Sequence, residues 1–146
     1  MTAIVLTHGH NDHITAAVAL REATGAPVWF NPSDRMLWDV VHPDQAPDED
    51  LGEGSTFEVA GTTLVAVATP GHSPGSTCLY APDLGTVFTG DTLFCGGPGA
   101  TGRSFSDHPT IVESIRSRLL GLPGETVVRT GHGDDTTIAA EASNIY

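Results

Sequence analysis

The 146-residue sequence contains no lysine; its six basic side chains are all arginine and stand against 18 acidic ones, a formal charge of −12. That balance argues against a nucleic-acid partner. Phosphate backbones are gripped by basic stripes that release counterions, and six scattered arginines in an acidic background build none. An anionic membrane surface is disfavoured for the same reason. There is no run of about 18 apolar residues to span a membrane, and the N-terminus lacks the basic and apolar regions of a secretion signal, so the expectation is a cytoplasmic protein. Cysteine is scarce: Cys78 and Cys95 form neither a disulfide framework nor a metal pattern of their own, and each reads as a small buried hydrophobe. Internal repeats and low-complexity segments are also missing. The length suits one domain over residues 1–146, at the usual size of roughly 100–200 residues, and an apolar content of 39% can supply its core. What is plentiful is glycine (17), proline (10) and histidine (7), the composition of a loop-rich site on a compact scaffold.

Residues 2–7 are a short β-branched apolar run that reads as a buried strand feeding the loop His8-Gly9-His10-Asn11-Asp12-His13. Residues 14–23 are good helix formers, with Asn11 or Asp12 as N-cap and Gly25 placed to end the helix. Residues 28–30 predict the next strand, and Asn31-Pro32 opens a second helix to about residue 41. Residues 42–54 hold two prolines and the acids Asp44, Asp48, Glu49, Asp50 and Glu53, which read as a solvated loop. Strand-like stretches at 56–60 and 62–69 flank Gly61, and others at 76–81 and 85–89 flank Pro82-Asp83, a pattern that predicts antiparallel meanders. Residues 107–120 place Ile111, Val112, Ile115, Leu119 and Leu120 at helical spacing, with Ser106 or Asp107 as cap and Gly121 as terminator. A last strand at 125–130 leads into Gly131-His132-Gly133, and a short helical stretch begins near residue 136.

Four strand ends thus finish in loops bearing histidine or aspartate: His8-x-His10-x-Asp12-His13, Gly71-His72, Gly90-Asp91 and Gly131-His132. Strand ends of one sheet lie side by side, so these loops can meet on one rim. Neutral imidazole and carboxylate hold zinc, manganese or iron, and a glycine beside a ligand lets the backbone come close. A single His or Asp at a strand end is commonly a turn or capping residue, but the six-residue cluster is costly to fold and serves no structural purpose. Seven such ligands exceed what one tetrahedral ion needs and suffice for two with a shared carboxylate. Ions about 3.5–4 Å apart can activate one water and polarise a carbonyl together. His42 and His108 fall outside the pattern and read as structural.

The segments Thr7-His8-Gly9-His10-Asn11-Asp12-His13, Thr69-Pro70-Gly71-His72-Ser73-Pro74-Gly75-Ser76, Phe88-Thr89-Gly90-Asp91-Thr92-Leu93-Phe94 and Thr130-Gly131-His132-Gly133 resemble the metallo-β-lactamase-fold hydrolases, in their usual order. The likeness runs over about residues 3–135, and the wording around Asp91 and on to Arg103 is most similar to the glyoxalase II-like branch. The resemblance implies an α+β fold, the αββα metallo-β-lactamase sandwich. It implies one metal on His8, His10 and His72, a second on Asp12, His13 and His132, and Asp91 bridging both. The ions would be divalent, zinc first, with iron or manganese as alternatives, and a hydroxide between them would be the nucleophile. Asp12 would be catalytic as well as ligating, orienting that hydroxide and handling its proton. Thr7, Thr69, Ser73 and Thr130 are candidates to fix the imidazole tautomers. The glycine-rich residues 95–104 either cradle an anionic substrate, with Arg103 as the substrate-binding cation, or form a flexible connector.

Family members carry several strands ahead of the histidine cluster and commonly continue through a closing helix. Here residues 2–7 alone precede it and the sequence ends at Tyr146, so the expectation is a sandwich lacking its first N-terminal strands, truncated at both ends. Its open sheet edge would be covered in a homo-oligomer. The activity implied is hydrolysis of a small thioester or ester of the hydroxyacylglutathione kind. The competing readings are a mononuclear iron sulfur dioxygenase, a lactonase or β-lactam hydrolase of the same fold, and an inactive metal-binding fragment.

Overall fold

The computed structural model describes residues 1–146. Strand β1 (Ile4–Val5) pairs in parallel with β2 (Val28–Phe30), and β2 with β3 (Glu49–Asp50). Strands β4 (Thr56–Val59), β5 (Thr62–Ala68), β6 (Thr77–Ala81) and β7 (Thr86–Gly90) form the expected antiparallel meander. A small hairpin, β8 (Leu93–Phe94) with β9 (Gly97–Pro98), follows. Strand β10 (Val127–Thr130) then joins β7 in parallel, and β11 (Thr136–Thr137) pairs with β10, completing a six-stranded sheet in the order β11-β10-β7-β6-β5-β4. The helices are α1 (Asn11–Ile14), α2 (Ala17–Thr24), α3 (Arg35–Val41), α4 (His108–Ser114) and α5 (Ile138–Glu141). None is long and apolar enough to cross a membrane.

Alternation along the strands makes these elements a four-layer sandwich, because successive side chains leave a strand on opposite faces. Ile4, Val28 and Phe30 pack outward under Ile14, Ala17 and Trp38 of the first three helices. Their neighbours Val5 and Trp29 point the other way, onto Leu51, Ala66, Leu79 and Phe57 between the two sheets. On the far side of the large sheet, Cys78, Val87 and Val128 meet Ile111, Ile115, Leu119 and Ile138. The layer order is therefore helices, small sheet, large sheet, helices.

Several expectations are corrected. The first helix starts inside the histidine cluster, at Asn11 with His10 in the capping position, and no side chain caps it. It is interrupted at Thr15 and Ala16 before α2, which ends at Gly25 (φ 74°) as expected. Residues 42–54 are not a uniformly solvated loop: they contain β3, and Leu51 is buried. Their acids serve the chain, since Asp48 accepts from the Val28 N–H (2.7 Å) and pairs with Arg21 (3.0 Å), and Glu53 accepts from the Ala68 N–H. The Val28 N–H bond and Arg21 hold the Asp48 carboxyl below its ordinary range. Helix α4, capped by Asp107, widens into a π-helical turn over Ile115–Leu119. The wider turn offsets the drift of an i, i+4, i+8 stripe, and Ile111, Ile115 and Leu119 all stay buried. Gly121 does not adopt the left-handed conformation of a helix terminator. Cys78 is buried as expected, whereas Cys95 is exposed on the β8–β9 turn.

Candidate metal centre

Strands β5 and β7 both run antiparallel to β6, and β10 runs parallel to β7, so the C-terminal ends of β5, β7 and β10 share one rim. His72, Asp91 and His132 follow those three ends. The smaller sheet delivers the first motif to the same place: the chain leaving β1 passes Thr7, whose carbonyl accepts the Thr77 N–H of β6 at 2.8 Å. Two glycines permit the close fit. Gly90 is left-handed (φ 53°) and a Cβ there would press on Thr7, while a Cβ at Gly131 would overlap Asp91 Oδ1.

All seven histidines and aspartates expected at the site meet on this rim. His8, His10 and His72 form one buried cluster, and Asp12, His13, Asp91 and His132 form a second, more open one; within each, the donor atoms lie within 4.8 Å of one another. His10 Nδ1 is 3.0 Å from His72 Nε2, and His13 Nε2 is 3.1 Å from His132 Nε2. Asp12 Oδ2 lies 3.0 Å from His132 Nε2 and 3.3 Å from His13 Nε2. Asp91 touches both clusters: Oδ2 is 3.6 Å from His8, 3.5 Å from His72 and 3.5 Å from His132, and Oδ1 is 3.3 Å from His13. A tetrahedral ion with bonds of about 2.0–2.1 Å holds its donors about 3.3 Å apart, so these spacings fit ligands around a cation. His8 Nε2 and Asp91 Oδ1 are buried without an aligned hydrogen-bond partner. Such atoms are costly to leave bare, and a divalent ion in each cluster would satisfy them.

Electrostatics prepare the same chemistry. Burial, then the neighbouring His13, pushes His8 down to about 3, against the pull of Asp91. His10 is lowered by burial and by His72, so both rings are neutral near pH 7 and keep a lone pair to donate. His13 is raised by the Asp91 carboxylate beside it. For Asp91, burial opposes ionisation, but the interactions with His13 and His72 outweigh it and hold the carboxyl well below the usual range. The tautomer of His72 is set by a backbone group: Nδ1 donates to the Ala100 carbonyl at 2.6 Å, turning Nε2 toward the cluster. Of the four expected hydroxyl partners, Thr7 does contact an imidazole, His8 Nδ1 at 3.0 Å. Thr69 bonds Thr92, Ser73 bonds Asp34, and Thr130 bonds the His132 carbonyl. Ala100 was not foreseeable, because a backbone carbonyl carries no residue signature. His42 bonds the Ile14 carbonyl (2.8 Å) and packs on Trp38, and His108 is the first residue of α4, so both stay outside the centre.

Residues 1–132 match the model of the Metallo-beta-lactamase superfamily. The chain belongs to that superfamily. It is 34% identical to the hydroxyacylglutathione hydrolase GloC of Haemophilus influenzae over 97% of this chain and 73% of that protein. Among solved structures it resembles the BLEG-1 B3 metallo-beta-lactamase (TM-score 0.87, 32% identity, 99% of this chain and 75% of that one). It also resembles TTHA1623 in a di-iron-bound form (TM-score 0.83, 37% identity, 97% and 75%). The GloC likeness agrees with the glyoxalase II-like branch, and the αββα sandwich is the fold these structures share with the chain.

Above the metallo-β-lactamase centre lies a cavity of about 270 Å³ lined by His10, Asp12, His72, Asp91, Phe94, Ala100, Arg103 and His132. The loop after Asp91 is not a plain connector, since it contains the β8–β9 hairpin and supplies both the His72 partner and Arg103. Arg103 is the one cationic side chain among the cavity's lining residues, and it also borders an adjoining hollow with Leu37, Gly102 and Ser104. Asp12 and His132 are about half exposed, so the second cluster is the one open to solvent.

Proposed function

We propose that this metallo-β-lactamase superfamily member is a dinuclear metal-dependent hydrolase of small thioesters or esters of the hydroxyacylglutathione kind. The observation that carries the reading is Asp91, one carboxylate within 3.3–3.6 Å of histidines from both clusters. His8, His10 and His72 would hold one ion, Asp12, His13 and His132 the other, and Asp91 both. The donor set suits zinc, iron or manganese, and TTHA1623 holds iron on a similar scaffold. Two divalent ions held at these residues would lower the pKa of water and polarise a substrate carbonyl.

The side chains perform the remaining tasks. Asp12 presents Oδ2 to His13 and His132, which leaves Oδ1 to orient the attacking water, accept its proton and return it to the departing thiolate. The neutral rings of His8 and His10 donate lone pairs without first losing a proton. Phe94 walls the cavity on its apolar side, and Arg103 offers a guanidinium to a substrate carboxylate. The hydroxyacylglutathione substrate class rests on the GloC likeness together with this cation.

The test is hydrolysis of a hydroxyacylglutathione thioester before and after chelation, alongside metal analysis. Two ions per chain and cleavage that disappears with chelator and returns with zinc are expected. Protein carrying two ions but inert toward thioesters and esters would overturn the reading.

A further inference from the structure

Asp34 is fully buried and belongs to neither metal-binding cluster. It stands where the 3-10 turn Pro32–Asp34 enters α3, and its carboxylate accepts three hydrogen bonds, none from its own element. Oδ2 accepts from the Gly9 N–H at 2.9 Å and from Ser73 Oγ at 2.6 Å, and Oδ1 accepts from the Gly75 N–H at 2.5 Å. Gly9 lies between His8 and His10, and Ser73 and Gly75 stand one and three residues after His72. The three donors therefore come from the two loops that carry the buried cluster. Ser73 is itself steered by Ser76, whose Oγ lies 2.9 Å from Ser73 Oγ and accepts the Ser73 N–H. The approach leaves no room for side chains: a Cβ at Gly9 would meet Asp34 Cβ at 3.1 Å, and one at Gly75 would meet Asp34 Cγ at 2.8 Å.

We propose that Asp34 is the positioning residue of the buried metal site, a carboxylate clamp that locks the His8-Gly9-His10 loop to the His72-Ser73-Pro74-Gly75 loop so that three imidazoles face one ion. The proposal rests on the dinuclear reading above. A carboxylate is required because it is acceptor-only, with room for all three donors. An amide must turn its NH₂ toward one side, and with backbone N–H groups on both oxygens it always faces one of them. The second cluster has no bond to Asp34, so the clamp acts on one site of the pair.

The experiment measures zinc affinity by chelator competition in His132→Ala, where the buried cluster is the intact one, with and without Asp34→Asn, and follows the thermal midpoint of the metal-free proteins. Asp34→Asn is expected to weaken zinc binding by about 10–100-fold, the range for loss of a ligand-orienting partner. An unchanged zinc affinity with only a lowered thermal midpoint would make Asp34 merely structural and overturn the clamp while leaving the dinuclear reading intact. A wild-type chain that takes up no zinc would overturn the dinuclear reading, and the clamp with it. Ser73→Ala is the milder probe if Asp34→Asn does not fold: it removes one donor and keeps both backbone bonds. A smaller loss of zinc affinity at the same cluster supports the clamp, and an unchanged affinity overturns it.

Discussion

Asp91 concentrates more of the site's geometry than any other side chain. The residue is 8% exposed, and its carboxylate is ionised by its histidine neighbours and contacts both clusters. Asp91→Ala is expected to strip metal from both sites, by at least the about 10–100-fold that loss of an outer partner costs; metal analysis after gel filtration checks it. Gly131→Ala should act on the same carboxylate from outside, since its methyl would occupy the space of Asp91 Oδ1. It should lower metal content and thioesterase activity together while leaving the circular dichroism spectrum in place. The seven clustered residues were legible because glycine-flanked His and Asp motifs sit at the ends of apolar strands. Asp34 was not, because its partners lie 25, 39 and 41 residues away and two of them are backbone N–H groups. The exposure of Cys95 is hidden in the sequence for a related reason: it depends on a hairpin whose two-residue strands leave no periodic signal.

Elements with a clear local code were readable, and those made by distant pairing were not. The meander from Thr56 to Gly90 alternates and turns at Gly61 and Pro82-Asp83 as its residues dictate. Asn31 caps the 3-10 turn through the Ser33 N–H, and Asp107 caps α4 through the Thr110 N–H. Removing the second cap, Asp107→Ala, should cost about 1 kcal/mol by urea denaturation. By contrast β3 is two acidic residues long and exists because β2 offers it a parallel partner. Phe30 lies 2% exposed on β2, packed with Trp38 of α3. Phe30→Ala is expected to destabilise the fold by about 3–5 kcal/mol, the range for emptying a buried aromatic site.

For the whole molecule, stability and metal loading are coupled, because two of the histidines that would bind metal, His8 and His10, are held neutral in the fold. In metal-free protein, His8 falls from 6.5 to about 3 and His10 is also lowered. Below pH 6.5 the unfolded chain therefore takes up protons that the folded chain refuses, and stability falls with pH. His13, whose folded value is raised, works in the opposite direction, favouring the fold below pH 6.5 and losing that effect as pH rises through its folded value. His8 carries the large shift among these rings and sets the net direction, so the chelated protein should lose thermal stability between pH 7 and pH 5, with a contribution from His8 of up to about 1.4 kcal/mol per pH unit. Added zinc should raise the midpoint at pH 7, because an ion that binds the folded chain shifts the unfolding equilibrium. A midpoint that rises on acidification, or ignores zinc, would contradict this coupling. Residue order alone carried the acidic, lysine-free character, the strand-and-loop rhythm and the family likeness, because these depend on composition and on neighbours close in the chain. Which imidazole nitrogen faces inward and which carboxylate ties the two loops together were decided only by tertiary structure. Those roles are set by distances between segments far apart in sequence, and a buried polar atom finds its partner only when the sheets close.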